Sequence, residues 1–420
     1  MPKNAWVGVL VAVGVILTAL IAVRARRQEQ ADELTERALR LLHPPLSEAA
    51  SLRDIRGREA RELLDEAQAL AASDERTDLL ALARAAELYT RGRYAEAERV
   101  LGARSLARSE ATQLMAAIKL MRGQALEAQQ LLEKSWSADA NDARAAVLRS
   151  DVARALGRAD VALAGLEPFF KAGDANAALY ERRGLAHELL GNRSQAIADL
   201  TRAAELDRKS QSALLTLGRL HRESGALSQA VLAFHEASQR NPNEVEAWLG
   251  MGVCRAAIGD KTSARVDLER AAAVAPTRPE PLIALADIDI SERDLGSALR
   301  RYRAALLLDP KNVLGHVKLG NTLMRAGEIE AAVPEYRAAL DAQPDLAAAH
   351  NGLGAALFAQ GDMPGAEAEL KAAAKLDPSD AHPWLNLARL YKRQGNTGAL
   401  ESALQLARAR DPALALADRR

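Results

Sequence analysis

From Ser109 to Leu414 the sequence repeats every 34 residues, nine times over, with no insertion or deletion. The blocks start at Ser109, Ala143, Ala177, Gln211, Val245, Pro279, Val313, Ala347 and Ala381. Block position 15 is glycine in eight of the nine (Gly123, Gly157, Gly191, Gly225, Gly259, Gly327, Gly361 and Gly395), with Arg293 as the exception. Position 20 is alanine in eight (Ala128, Ala162, Ala196, Ala230, Ala264, Ala298, Ala332 and Ala366), with Leu400 as the departure. Position 32 is proline in the last six: Pro242, Pro276, Pro310, Pro344, Pro378 and Pro412. A period of this length predicts an array in which each unit buries its apolar face on the next, rather than two or three separate globular domains.

Between the glycines, apolar residues recur at spacings of three and four, so each block predicts two helices. In the block from Val313, Leu319 and Leu323 share one face of the first helix, and Tyr336 and Ala339 share one face of the second. The glycine at position 15 is expected to turn the chain in a left-handed conformation after the first helix. The proline is expected to stop the second helix and set the next turn. Small residues at positions 8, 20 and 27 (Gly320, Ala332, Ala339) let helix axes come close, and larger ones such as Trp248, Leu353, Phe234 and Tyr302 fill the gaps. Composition agrees, with 49% apolar residues but only 3% aromatic ones, which suits close-packed helices better than sheet sandwiches.

This pattern resembles the tetratricopeptide repeat (TPR) family. It can be read off His316-x2-Leu319-Gly320-x2-Leu323-x8-Ala332-x3-Tyr336-x2-Ala339-x4-Pro344, and in part off Trp248-x2-Met251-Gly252. The resemblance covers 306 of 420 residues. It implies an all-α chain whose body, residues 109–414, is a right-handed superhelical solenoid. Residues 78–108 read as a shortened first repeat through Leu88, Gly92, Ala97 and Leu101, which makes about ten helix-turn-helix repeats in all. Departures from the pattern gather early. Arg183 stands where a large apolar residue belongs, Arg208 replaces a proline, and Pro168 should end or kink its helix before Phe169-Phe170. Residues 24–77 read as a helical connector, with Ala31, Leu34, Ala38 and Leu41 on one face of a stretch broken by Pro44-Pro45, and residues 415–420 as a tail.

Residues 5–23 carry no charge. Nineteen residues in a helix reach about 28 Å, close to the hydrocarbon thickness of a bilayer. Trp6 sits where an interfacial aromatic would, and Arg24, Arg26 and Arg27 follow as a stop. The expectation is a single uncleaved transmembrane helix in a cell (inner) membrane, because Val23-Arg24-Ala25 is a poor signal-peptide cleavage site. The Lys/Arg balance favours a cytoplasmic C-terminal body, with a periplasmic one as the alternative. An apolar anchor, an arginine stop and a TPR body are similar to the TPR regulators of lipopolysaccharide assembly. The paired CxxC motifs of their zinc module have no counterpart here, since Cys254 is the sole cysteine.

No motif for chemistry appears: there is no Walker loop, GxSxG elbow, HExxH or CxxC. One cysteine excludes an intramolecular disulfide. His187 and His221 share block position 11, and His316 and His350 share position 4, but neither pair brings a third ligand, so packing roles are expected. The reading is therefore a non-enzyme without metal or cofactor. Fifty-six basic residues against fifty-six acidic ones, with few aromatics, also argue against nucleic acid as a partner.

What remains is surface. The resemblance implies that first-helix positions 2, 5, 9, 12 and 13 line a concave groove. Those positions hold eight bases (Arg144, Arg154, Arg219, Arg222, Arg325, Arg389, Lys392, Arg393) and eight acids (Glu110, Asp151, Glu181, Glu188, Glu223, Glu246, Glu280, Asp287). After Asp287 only the positive charges continue. The candidate partner-binding groove is Leu314, Val317, Asn321, Met324, Arg325, Asn351, Phe358, Leu385, Arg389, Lys392 and Arg393. It suits a protein or peptide partner with acidic and apolar features. The carboxylate-clamp pattern of some TPR proteins is not met, because Val317 and Gly352 stand where that clamp needs polar side chains. The function expected is a membrane-anchored scaffold or adaptor that assembles or regulates a complex at the inner membrane. The alternatives are a periplasm-facing assembly factor for envelope, secretion or pilus machinery, and the TPR arm of an enzyme such as a glycosyltransferase.

Overall fold

The computed structural model describes residues 78–102, 109–134, 142–209 and 211–411, together with Gln30, Ala31, Glu33, Thr35, Glu62 and Asp65. The expected membrane span at residues 5–23, the Pro44-Pro45 break and the tail lie outside them. Among the described residues no helix is long and apolar enough to cross a membrane.

The continuous stretches are all α and hold twenty helices joined by short turns. In chain order α1 (Asp78–Thr90) pairs with α2 (Tyr94–Gly102), α3 (Ser109–Met121) with α4 (Ala125–Lys134), α5 (Ala143–Ala155) with α6 (Ala159–Ala172), and α7 (Ala177–Leu189) with α8 (Arg193–Leu206). Next come α9 (Ser212–Glu223) and α10 (Leu227–Arg240). Then α11 (Val245–Ala257) pairs with α12 (Lys261–Val274), α13 (Glu280–Ser291) with α14 (Leu295–Leu308), α15 (Val313–Ala326) with α16 (Ile329–Ala342), α17 (Ala347–Gln360) with α18 (Met363–Leu376), and α19 (His382–Gln394) with α20 (Thr397–Arg410). The chain forms two compact units. One runs to Ser224 and includes Glu236–Pro242; the other is Gly225–His235 with Asn243 onward.

The turn inside each pair explains the glycine period. All eight position-15 glycines adopt positive φ, from 71° to 93°. Arg293, the one departure, adopts it too, at 66°, and is the only non-glycine residue to do so among the described residues. The geometry is thus imposed by the pair, and Arg293 bears the Cβ penalty of the left-handed region. Arg293→Gly should hold or raise stability by up to about 1 kcal/mol, whereas Gly327→Arg should lower it by roughly 1–2 kcal/mol, both read from urea unfolding. Equal effects in the two variants would contradict this reading of the turn.

The alanine period marks buried positions of the second helices. All eight position-20 alanines are buried. The residues before the prolines are extended, for example Asp309 (φ −136°, ψ 91°) and Gln343 (φ −139°, ψ 89°), as a following proline requires. Glycines on the first helices make room for bulky groups. A Cβ at Gly320 would lie 2.8 Å from the Tyr336 ring, and one at Gly352 would lie 2.3 Å from it. Three repeats earlier in the same unit, Gly250 likewise faces the Phe234 ring, where a Cβ would come to 2.6 Å.

Two local expectations change. Pro168 does not end its helix: α6 runs on to Ala172 and closes on the left-handed Gly173. The last turn is held by packing, with Phe169 buried and the Phe170 ring edge-on to Tyr180 at 5.0 Å, which offsets the one backbone hydrogen bond that proline removes. Arg183, in a large apolar slot, serves as filler by another route. Its guanidinium lies 3.5 Å above the Phe170 ring centroid and makes two hydrogen bonds, of 2.8 and 2.6 Å, to the buried Asp199. At the other end of this unit Ala31 is buried against Leu82, Ala83 and Ala86 of α1, so one point of the connector stretch docks on the first pair.

Candidate functional site

First helices of successive pairs lie side by side, α15 against α17 and α17 against α19. Their shared face carries the residues singled out from the sequence, and the structure sorts these into two groups. Val317 (8% exposed) and Leu385 (5% exposed) are buried; Val317 packs on Ala339 and Ala349, so these two form floor rather than surface. Leu314 is open, at 55% exposed. Met324 and Phe358 are half-buried, seated on the main core of this unit with part of each still reachable.

The polar members are ordered by hydrogen bonds. Asn321 accepts from the Tyr336 hydroxyl at 2.8 Å. Asn386 donates to Asn351 at 2.9 Å, and Arg389 donates to Asn386 at 3.1 Å. Burial pushes the Tyr336 phenol above its ordinary range, so it stays protonated and able to donate. Burial does the same to Tyr302, whose hydroxyl bonds Asp287.

The charges fall into a pattern that the block positions alone did not reveal. Every expected groove acid whose side chain is described has a basic partner on the chain itself. Asp151 meets Arg182 (2.8 Å) and Arg154 (2.9 Å), and Glu181 meets Arg182 (3.3 Å). Glu188 and Glu223 both meet Arg219, Glu246 and Glu280 both meet Arg278, and Asp287 meets Lys318 at 2.8 Å. Arg182, Arg278 and Lys318 stand outside the positions implied to line the groove. The clue was present in the sequence as a spacing: Asp151 to Arg182 and Asp287 to Lys318 are both 31 residues apart, so a base three positions before the next copy of an acid reaches back to it.

Three of the groove bases after Asp287 differ. Arg325, Lys392 and Arg393 are exposed, and among the described residues none is paired with a carboxylate. Arg393 instead lies over the Phe358 ring, 5.5 Å from its centroid. Along the C-terminal ends of α15, α17 and α19 this leaves one stripe: Arg325 and Met324, then Phe358, then Lys392 and Arg393.

The histidine pairs do other work. His316 and His350 each place Nδ1 on a glutamate, Glu335 at 2.7 Å and Glu369 at 2.6 Å. Each also places Nε2 on a proline carbonyl, Pro310 at 3.1 Å and Pro344 at 2.9 Å. They tie a first helix to its own second helix and to the preceding turn. Burial pushes His187 and His221 below the usual imidazole range. Among the described residues no three of His, Cys, Asp and Glu gather where they could hold a metal ion.

Residues 177–210, 215–279 and 317–381 match family models described as tetratricopeptide repeats. The chain carries tetratricopeptide repeats. The TPR matches name no catalytic family, and no curated protein matches the chain. Solved structures similar to it include the APC/C hetero-tetramer Cut9–Hcn1, at 16% identity and TM-score 0.48, covering 81% of this chain and 76% of that one. They also include PilF of Pseudomonas aeruginosa, at 16% identity and TM-score 0.44, covering 48% and 92%. A third is PilW, titled a widely conserved type IV pilus biogenesis factor, at 17% identity and TM-score 0.44, covering 48% and 94%. Tetratricopeptide repeats at these residues suggest an interaction scaffold with a protein or peptide partner.

Proposed function

We propose that this chain is a membrane-tethered TPR adaptor without chemistry of its own. Residues 5–23 hold it in the inner membrane, its body faces the cytoplasm, and the face built by α15, α17 and α19 holds a polypeptide partner so that a complex assembles at the membrane. One observation carries the partner face. The acids on the corresponding positions of earlier pairs are matched by internal bases, whereas Arg325, Lys392 and Arg393 have no carboxylate partner and flank the half-buried Met324 and Phe358. Cationic and apolar groups presented together are what a recognition surface needs.

The test is affinity capture from detergent extracts with the full chain and with Arg389→Glu, Lys392→Glu and Arg393→Glu combined. A partner held by the first and lost by the second, with unchanged far-UV circular dichroism, is the expected result; equal recovery overturns the partner face. Deleting residues 5–23 should move the protein from the membrane fraction to the soluble one. A C-terminal reporter active only outside the cytoplasm would reverse the orientation and turn the reading toward envelope, secretion or pilus assembly.

A further inference from the structure

The stripe on α15, α17 and α19 has a definite chemical order. Reading across the three helices, it runs cation (Arg325), apolar (Met324, Phe358), cation (Lys392, Arg393). All three cations lie in or next to the last turn of a first helix, where the helix dipole favours positive charge. The dipole does not account for their lack of partners. Arg154 and Arg255 occupy last turns as well, yet each meets a carboxylate, Asp151 at 2.9 Å and Asp267 at 2.7 Å. The later three make no such carboxylate contact among the described residues, and Arg393 lies over the Phe358 ring instead.

From this we infer that the face takes an acidic segment in extended conformation, with carboxylates at two points and an apolar side chain between them. The inference rests on the reading of α15, α17 and α19 as the partner face. Packed helices lie about 8–10 Å apart, so Arg325 and the Lys392–Arg393 pair are separated by roughly 16–20 Å. An extended chain covers that distance in about five or six residues at some 3.3 Å each. The apolar residue between the acids reaches the exposed parts of Met324 and Phe358. Asn351 keeps donor capacity after accepting from Asn386, enough to bond the backbone of an extended segment. The segment is internal rather than a chain end, because no lysine-and-asparagine clamp for a terminal carboxylate is present: Val317 and Gly352 occupy those places, and Gly352 is filled by the Tyr336 ring. A nucleic acid fits less well, because the one ring in the stripe, Phe358, already lies beneath Arg393.

Fluorescence anisotropy with three labelled probes and the full chain in detergent tests this. The probes are Glu-Glu-Gly-Ser-Leu-Ser-Gly-Glu-Glu blocked at both ends, the same peptide with glutamine for every glutamate, and a thymidine oligonucleotide of equal charge. The acidic peptide should bind at least about tenfold more tightly than the glutamine peptide, and the preference should shrink as salt rises. Combining Arg325→Gln, Lys392→Gln and Arg393→Gln should abolish the preference while leaving the helical circular dichroism intact. Equal binding of the two peptides, a preference that survives the triple variant, or tighter binding of the oligonucleotide each overturns the inference. A photo-cross-linker placed at Asn351 separates the two levels. Capture of a polypeptide there with no charge preference overturns the acidic rule alone; no capture there overturns the partner face itself.

Discussion

Gly352→Ala should destabilise the unit that contains it by about 2–3 kcal/mol, and the same change should stabilise that unit once Tyr336 is alanine. The Tyr336 ring is held in a slot between Gly320 of its own pair and Gly352 of the next, and a Cβ at Gly352 would overlap the ring. Gly320 closes the other side, so the ring cannot slide away, and overpacking of this kind costs typically 1–3 kcal/mol or more. Tyr336→Ala alone removes a fully buried ring and its hydrogen bond to Asn321, a loss of roughly 3–5 kcal/mol. With the ring gone, the three atoms nearest that Cβ are removed, and helix propensity favours alanine over glycine by up to about 1 kcal/mol. A double-mutant cycle by urea unfolding should therefore give a coupling of at least about 2 kcal/mol and a change of sign for the Gly352 substitution. Additive effects would mean that the ring does not lie between these helices and that the 34-residue register is misplaced.

Asp289→Ala should cost the same unit about 3 kcal/mol. The Asp289 carboxylate is 3% exposed and sits between two guanidiniums, accepting from Arg265 at 2.9 Å and from Arg301 at 2.8 Å. Arg265 also holds Glu292 at 2.7 Å, so three consecutive helices (α12, α13 and α14) are joined through one buried anion. Removing it leaves two like charges facing each other in a partly buried site, and breaking buried pairs in this way costs roughly 3–5 kcal/mol. Both arginines are about 30% exposed and can turn partly to solvent, which places the expected value at the lower end. A loss below about 0.5 kcal/mol, the size of an ordinary surface pair, would show that the network is ornamental to the packing.

Much of the helical scaffold could be read from the chain because its information is periodic. A glycine every 34 residues marks a left-handed turn whether or not one copy is replaced, and Arg293 demonstrates that the pair dictates the turn rather than the reverse. Alanine at position 20 marks a buried helix contact for a similarly local reason, since a small side chain lets the helices pack closely there. The interaction face was less legible. Position within one block shows which charges a face carries, but pairing occurs between blocks, so Lys318 and Arg182 neutralise Asp287 and Asp151 from positions outside those implied to line the groove. Val317 and Leu385 stand at groove positions yet are buried, because a small rotation of the helix decides exposure there. Pro168 misled for a third reason, since tertiary packing of Phe169 and Phe170 outweighs a single local breaker.

The measurement that bears most directly on the account is site-specific photo-cross-linking in intact cells. A cross-linking residue would replace Met324, Asn351 or Phe358 on the proposed partner face, and Leu232 or Val266, both well exposed on second helices, as controls. The account predicts one shared polypeptide attached at all three face positions and absent from both controls. Attachment at the second-helix positions with none at Met324, Asn351 and Phe358 would contradict it.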